Sequence, residues 1–179
     1  MITPIDFDDL RPDLQGALRA RYERLGYLGD FFRFMAHQPD ALIAFDAFTE
    51  ACKKALPFEL AETISLTAAT RLGNDYERHQ HERLAVRTGL SHSWVAEIER
   101  LDPAALAPPQ DDVQRYVLAS IDHEGDPAAV LDRVAERLGD PAAAAVALLT
   151  ARFIGHASVA RACRLRPTVP SIFDPASDV

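Results

Sequence analysis

Along this chain apolar residues recur every three or four positions, in runs that open at proline or aspartate and close at glycine. That is the pattern of amphipathic helices with their start and stop signals. After Arg11-Pro12 it predicts a helix to Arg24, with Leu14, Leu18 and Leu25 on one stripe and Gly26 as the stop. The segment Leu28 to Met35, with Phe31, Phe32 and Phe34, is too apolar for a solvated loop and should line the core or a pocket. Pro39 opens a helix to about Lys54, on which Leu42, Phe45, Phe48 or Thr49, and Cys52 recur at helical spacing. Pro57 opens the next, with Leu60, Ile64, Thr67 or Ala68, and Leu72 on a face. It stops near Gly73-Asn74-Asp75, where Asn or Asp can cap a following helix that runs to Thr88 and ends at Gly89. Ser91 caps a short helix through Arg100.

Asp102-Pro103 and the run Leu106 to Gln110 form a connector rich in proline and alanine, the best internal boundary. Beyond it the same grammar returns. Asp126-Pro127 opens a helix closed by Gly139, and Asp140-Pro141 opens another to about Ala160. Alternating strand patterns and Asn-Gly hairpin turns are absent. The expectation is an all-α, single-domain helical bundle over 1–179 with about eight or nine helices. The tail from Pro167 to Val179 has three prolines and no period, so it should be irregular, either disordered or laid across a neighbour's surface.

Composition narrows the function. A chain of 179 residues with 48% hydrophobic and 26% charged residues is of ordinary globular make-up and long enough to bury a core without staples. Nineteen Lys plus Arg against 27 Asp plus Glu give a formal charge of -8. Such a balance leaves no footprint for nucleic acid or an anionic membrane, and points to small molecules or protein as partners. Cys52 and Cys163 are far apart and neither belongs to a CxxC, so no disulfide framework or thiol metal knuckle is expected. The acidic N-terminus lacks an apolar core and the longest apolar stretch, Pro141 to Leu149, is short of a bilayer span. The expected location is the cytoplasm.

The densest polar cluster is Asn74-Asp75-Tyr76-Glu77-Arg78-His79-Gln80-His81-Glu82. On a helix Asn74, Glu77 and His81 share one face, while His79 points roughly away from His81. Glu62, between Ala61 and Ile64 in a segment that reads as buried, should find His81, Tyr76 or an arginine if the two helices pack as a hairpin. A carboxylate set against an imidazole is a proton-transfer device that requires no cofactor. The plainer alternatives are a surface pair of Glu77 with His81 and a solvent-exposed Glu62 on a helix edge. A divalent metal on Glu62, Glu77 and His81 is a third, although the Glu-x-x-His pairs usual in helical bundles are missing.

The stretch Glu62-x-x-x-Leu66, then Gly73-Asn74-Asp75-Tyr76-Glu77-x-x-x-His81, followed by Ala85 and Gly89-Leu90-Ser91, resembles the core of the carboxymuconolactone decarboxylase family, within the alkylhydroperoxidase D-like superfamily. The resemblance covers roughly 39–98. In the thiol branch of that superfamily a CxxC opens the second helix. Here Glu62 and His81 match that branch, while Asn74 and Glu77 stand at the cysteine positions. A peroxidatic thiol needs a thiolate and a resolving partner, and these positions supply neither.

The resemblance implies an all-helical protomer that assembles into homotrimers or homohexamers, with the Glu and His positions facing a pocket. It implies acid/base chemistry on a small organic acid or lactone, with His81 as acid/base and Glu62 as its orienting partner or second acid. Asn74 or Tyr76 would donate a hydrogen bond, and Glu77 completes the candidate set. An acidic substrate also calls for arginine in the pocket, and Arg71 and Arg78 are the candidates. The rival readings are a non-catalytic helical oligomer or small-ligand binding module, and peroxidase chemistry of the thiol branch.

Overall fold

A computed structural model of the chain describes residues 2–175. Among the described residues there are nine α-helices and no strand: α1 (Pro12–Leu25), α2 (Asp30–Met35), α3 (Pro39–Lys54), α4 (Phe58–Arg71), α5 (Asp75–Arg87), α6 (His92–Glu99), α7 (Gln110–Asp122), α8 (Pro127–Leu138) and α9 (Asp140–Ala162). The all-α expectation is therefore met.

Helix α4 is central, packing against α5, α6, α7 and α9. The periodicity gives it one apolar face, yet every residue from Leu60 to Ala69 is buried. Its other faces carry alanine, serine and threonine, small enough for neighbours to approach from all sides. Two of the hydroxyls are satisfied within the helix: Thr63 Oγ1 donates to the Glu59 carbonyl at 2.8 Å and Ser65 Oγ to the Ala61 carbonyl at 2.7 Å. A carboxylate on this helix, Glu62, consequently has no route to water.

Helix α9 lies against α3, α4, α7 and α8 and supplies Val146, Leu149 and Phe153 to the largest apolar cluster, with Leu60, Ile64, Val113 and Val117. Each such fully buried side chain contributes about 1.5–3 kcal/mol. Among the described residues α9 alone is long and apolar enough, by length and composition, to cross a membrane. The stretch Pro141 to Leu149 is thus part of a longer apolar helix.

Helix α7 is not among the expected elements, although Val113, Tyr116, Val117 and Ile121 recur at helical spacing and join the largest apolar cluster. Two of its inward positions are polar, Asp112 and Gln114. Gln114 Nε2 donates to Thr67 Oγ1 at 3.1 Å and to the Ile98 carbonyl at 2.9 Å, and Asp112 accepts from Arg133 at 2.9 Å. Specific partners thus hold the polar positions beside the apolar stripe, while Gln114 Oε1 has none among the described residues.

The tail carries no helix or strand among the described residues. Its described part, 167–175, lies on this chain's own α5, and 176–179 fall outside the described residues. His79 Nδ1 donates to the Val169 carbonyl at 3.0 Å, and Arg83 to the Pro170 carbonyl at 3.3 Å. The fully buried Glu82 accepts from Ser171 Oγ at 2.6 Å and the Ile172 amide at 2.9 Å. Ile172 joins Leu66, Ala85, Val95 and Ile98 in an apolar cluster. A buried hydrogen bond to a charged group contributes about 1.5–3 kcal/mol. Ser171→Ala is therefore expected to lower unfolding free energy by that order, while the exposed Ser158→Ala stays within about 0.5 kcal/mol, as read by urea denaturation.

Candidate active site

Helices α4 and α5 form a hairpin turned by Leu72-Gly73-Asn74, with Gly73 at φ +62, a left-handed conformation that glycine adopts at least cost. The hairpin sets Glu62 against His81. His81 Nδ1 donates to Glu62 Oε2 at 2.7 Å, both side chains being buried. That bond fixes the ring and leaves Nε2 facing Glu77 Oε2 at 3.7 Å. Neither the surface pairing of Glu77 with His81 nor an exposed Glu62 is what the chain adopts.

Glu77 is the hub of the cluster. Its Oε2 accepts from Arg152 at 2.7 Å, and its Oε1 lies 3.3 Å from His156 Nε2. Arg152 is itself fixed, with Nε donating to Thr49 Oγ1 at 3.3 Å and its guanidinium over the rings of Phe45 and Phe153. Asn74 immediately precedes α5, at its N-cap, but makes no side-chain cap; its amide lies 3.4 Å from His156 Nδ1 instead. Tyr76 Oη accepts the Phe31 amide at 3.1 Å. A Cβ at residue 29 would lie 2.7 Å from that oxygen, so Gly29 is what lets the phenol approach.

Burial opposes the charge on Glu77, but His156, Arg152 and His81 together hold its carboxyl well below the usual range. Burial likewise works against the His81 imidazolium, and Glu62 outweighs it, so His81 is raised from its ordinary 6.5. Burial pushes His156 down from 6.5 to about 4, despite the pull of Glu77. His156 is thus neutral near pH 7, its Nε2–H directed at Glu77 and its Nδ1 accepting from Asn74. Arg152 and His81 are the charges that keep Glu77 ionised, and His156 adds a hydrogen bond. Burial also pushes the Tyr76 phenol up, so it stays protonated.

Glu77, His81 and Arg152 line a cavity of about 370 Å³, with Tyr76 and the tail residue Val169 in its wall. Six cations line it, Arg21, Arg24, Lys53, Arg83, Arg87 and Arg152, against two carboxylates, Glu50 and Glu77. Arg71 and Arg78, the arginines expected in the pocket, are elsewhere. Arg71 pairs with Asp122 at 2.6 Å, and Arg78 with Asp75 and Glu82 at 2.8 and 3.1 Å.

The pocket arginine is Arg152, and neither it nor His156 is found by the sequence reading, which treats α9 as an apolar helix. Their signal was present: two ionisable residues four apart in an otherwise apolar run, the same spacing as Glu77 and His81. Cys52, which burial raises, and Cys163 are both free and neither lines this cavity. Among the described residues no three His, Cys, Asp or Glu are placed to hold a metal ion.

No protein-family model matches the chain, and no curated protein sequence matches it. Solved structures do. The debrominase Bmp8, in its apo form, superposes with TM-score 0.74 at 20% identity, covering 94% of this chain and 92% of that one. A variant of the same debrominase in complex with 2,3,4-tribromopyrrole gives TM-score 0.73 at 20% identity, covering 93% and 90%. An alkylhydroperoxidase AhpD core, an uncharacterized peroxidase-related protein from Ralstonia eutropha JMP134, gives 0.74 at 22%, covering 93% and 92%. At these identities what is shared is the fold, and the fold is that of the alkylhydroperoxidase AhpD-like proteins.

The buried histidines act on stability with opposite signs. His156, lowered in the fold, contributes stability that is present above 6.5 and lost as pH falls from there through about 4. His81, raised, contributes stability that is full below 6.5 and lost as pH rises through its folded value. His156→Gln retains a hydrogen-bonding side chain but cannot titrate. Between pH 6 and 4.5 its unfolding free energy should therefore fall less steeply than that of the parent, by up to about 1.4 kcal/mol per pH unit, measured by urea denaturation across pH. Equal slopes in the two proteins would remove the buried neutral histidine from the description.

Proposed function

We propose that this protein is a carboxymuconolactone decarboxylase-like enzyme that performs cofactor-free acid/base chemistry on a small organic acid or lactone. The observation that carries the proposal is the His81–Glu62 pair at 2.7 Å beneath a cavity of about 370 Å³. Glu62 holds the Nδ1 proton and raises the basicity of the ring, so Nε2 is the atom that takes and returns a proton. The cationic rim is suited to an organic carboxylate, which the net charge of the chain would otherwise repel. In a decarboxylation the C–C bond breaks, carbon dioxide leaves, and the electron pair stays on the α-carbon, where a proton from Nε2 ends the reaction. Arg152, already bound to Glu77, adds positive potential to that end of the cavity. Support for a small ring as substrate comes from the neighbouring fold that forms a complex with 2,3,4-tribromopyrrole.

The same reading has the protomer in homotrimers or homohexamers in the cytoplasm, an assembly that sedimentation equilibrium tests directly. A small-ligand binding module without turnover is the second reading, favoured by the three partners that already occupy Glu77. Thiol peroxidase chemistry is not part of the proposal, since Asn74 and Glu77 occupy the cysteine positions of the thiol branch.

Thermal-shift screening with lactones and small organic acids separates ligands from non-ligands, because a molecule that binds the native state raises its melting temperature. Hits are then assayed for carbon dioxide release and for lactone isomer formation. His81→Ala is expected to lose turnover by about 100- to 10,000-fold. A ligand that stabilises the protein with no turnover selects the binding-module reading, and turnover undiminished in His81→Ala rejects the catalytic assignment.

A further inference from the structure

A second cavity, of about 300 Å³, opens where the first turn of α5 meets the end of α9, on the far side of Asn74 and Tyr76. Three arginines from one short stretch line it, Arg161, Arg164 and Arg166. The one carboxylate in the lining, Asp75, is engaged by Arg78 through contacts of 2.8 and 3.1 Å. Arg161 donates to the Leu72 carbonyl at 3.4 Å, while the side chains of Arg164 and Arg166 have no partner among the described residues.

This is unusual within the molecule. Eight other arginines are paired with carboxylates, in a chain whose formal charge is -8. Cations near a helix C-terminus are favoured by its dipole, which accounts for Arg161 within the last turn of α9. The effect fades within a turn, and Arg164 and Arg166 lie beyond the helix. Three like charges around one concavity repel one another until an anion enters. Planar guanidinium groups match the oxygens of an anion by paired hydrogen bonds, and three of them exceed what the two oxygens of a carboxylate can accept. A phosphate group offers more acceptors and a second negative charge, and the cavity has room for the group and an organic remainder.

We propose that this cavity binds a phosphate group, through Arg161, Arg164 and Arg166, at a site separate from the acid/base cluster. The site does not depend on the reaction assigned to His81. Tyr76 lines both cavities and Asn74 lies between this one and His156, so a single layer of side chains divides the two occupants.

Arg164 makes a discriminating test possible because it sits at φ +54, in the left-handed region that favours glycine. Arg164→Gly removes the cation while relieving the backbone, so the unliganded variant should melt no lower than the parent. The full chain is titrated with sodium phosphate at constant ionic strength, with chloride as the control, and followed by thermal shift and isothermal calorimetry. The parent is expected to show a saturable rise of about 3–5 °C once phosphate exceeds its Kd tenfold. The rise should vanish in Arg164→Gly/Arg166→Ala and persist in Arg24→Ala/Arg87→Ala, whose arginines border the other cavity. Tighter binding of a phosphate monoester such as phenyl phosphate than of inorganic phosphate assigns the group to an organic phosphate, and the reverse order to the free ion. The proposal is overturned if chloride gives the same shift, if the shift survives in the Arg164/Arg166 variant, or if it is lost in the Arg24/Arg87 variant. It is overturned equally if calorimetry detects no binding of either phosphate.

Discussion

The interior is arranged around the burial of one ion pair, Glu77 with Arg152. Taking a carboxylate and a guanidinium out of water costs several kcal/mol for each ion, and only close geometry and further hydrogen bonds recover it. Here the geometry is a contact of 2.7 Å between side chains each about nine-tenths buried. The remaining bonding capacity is taken up locally: Thr49 from α3, His156 from α9 and His81 from α5 surround the pair, and two phenyl rings cover the guanidinium. The pair therefore ties α5 to α9 at one fixed register. It also explains why α9 tolerates ionisable residues in the middle of an apolar sequence.

That register decides what His81 can do. With Glu62 below it and Glu77 beside it, the ring lies between two carboxylates, which together make the imidazolium favourable despite burial. His156 occupies a comparable depth yet goes the other way. The difference is in the partners. The carboxylate beside His156, Glu77, already carries Arg152 on its Oε2, whereas His81 also has Glu62, which pairs with no other cation among the described residues. Two histidines beside one carboxylate are thus separated into an acid and a neutral hydrogen-bond donor, because His81 has a second carboxylate to offset its burial and His156 meets burial together with the charges of Arg152 and His81.

The α4–α5 hairpin was legible in the sequence because its signals are local: Pro57 and Gly73 mark the ends, and the spacing of Asn74, Glu77 and His81 fixes their shared face. Glu62 could be matched to His81 because consecutive helices joined by a short turn pack together. Arg152 and His156 were not legible, since their partner lies 75 or more residues away and nothing in local periodicity measures such distances. Helix α7 was legible in principle, since Val113, Tyr116, Val117 and Ile121 keep helical spacing, but the partners of its buried Asp112 and Gln114 on α4, α6 and α8 are not local signals. The seat of the tail was not legible because a segment without period reveals its surface only through its partners, and those are Glu82 and Arg83 on α5.

The helix α5 is consequently a two-sided element. One face carries Glu77 and His81 to the acid/base cavity, and another carries Glu82 and Arg83, which hold the tail so that Val169 forms part of that cavity's wall. Such a helix has a mean composition too polar for burial, and by propensity alone it would sit at the surface. It is buried because nearly every polar side chain on it has a partner chosen by tertiary structure. The same logic holds at positions 74 and 77, where a buried amide and a buried carboxylate require partners opposite them. His156 and Arg152 supply those partners from α9, so the two helices must be read together for either to make physical sense.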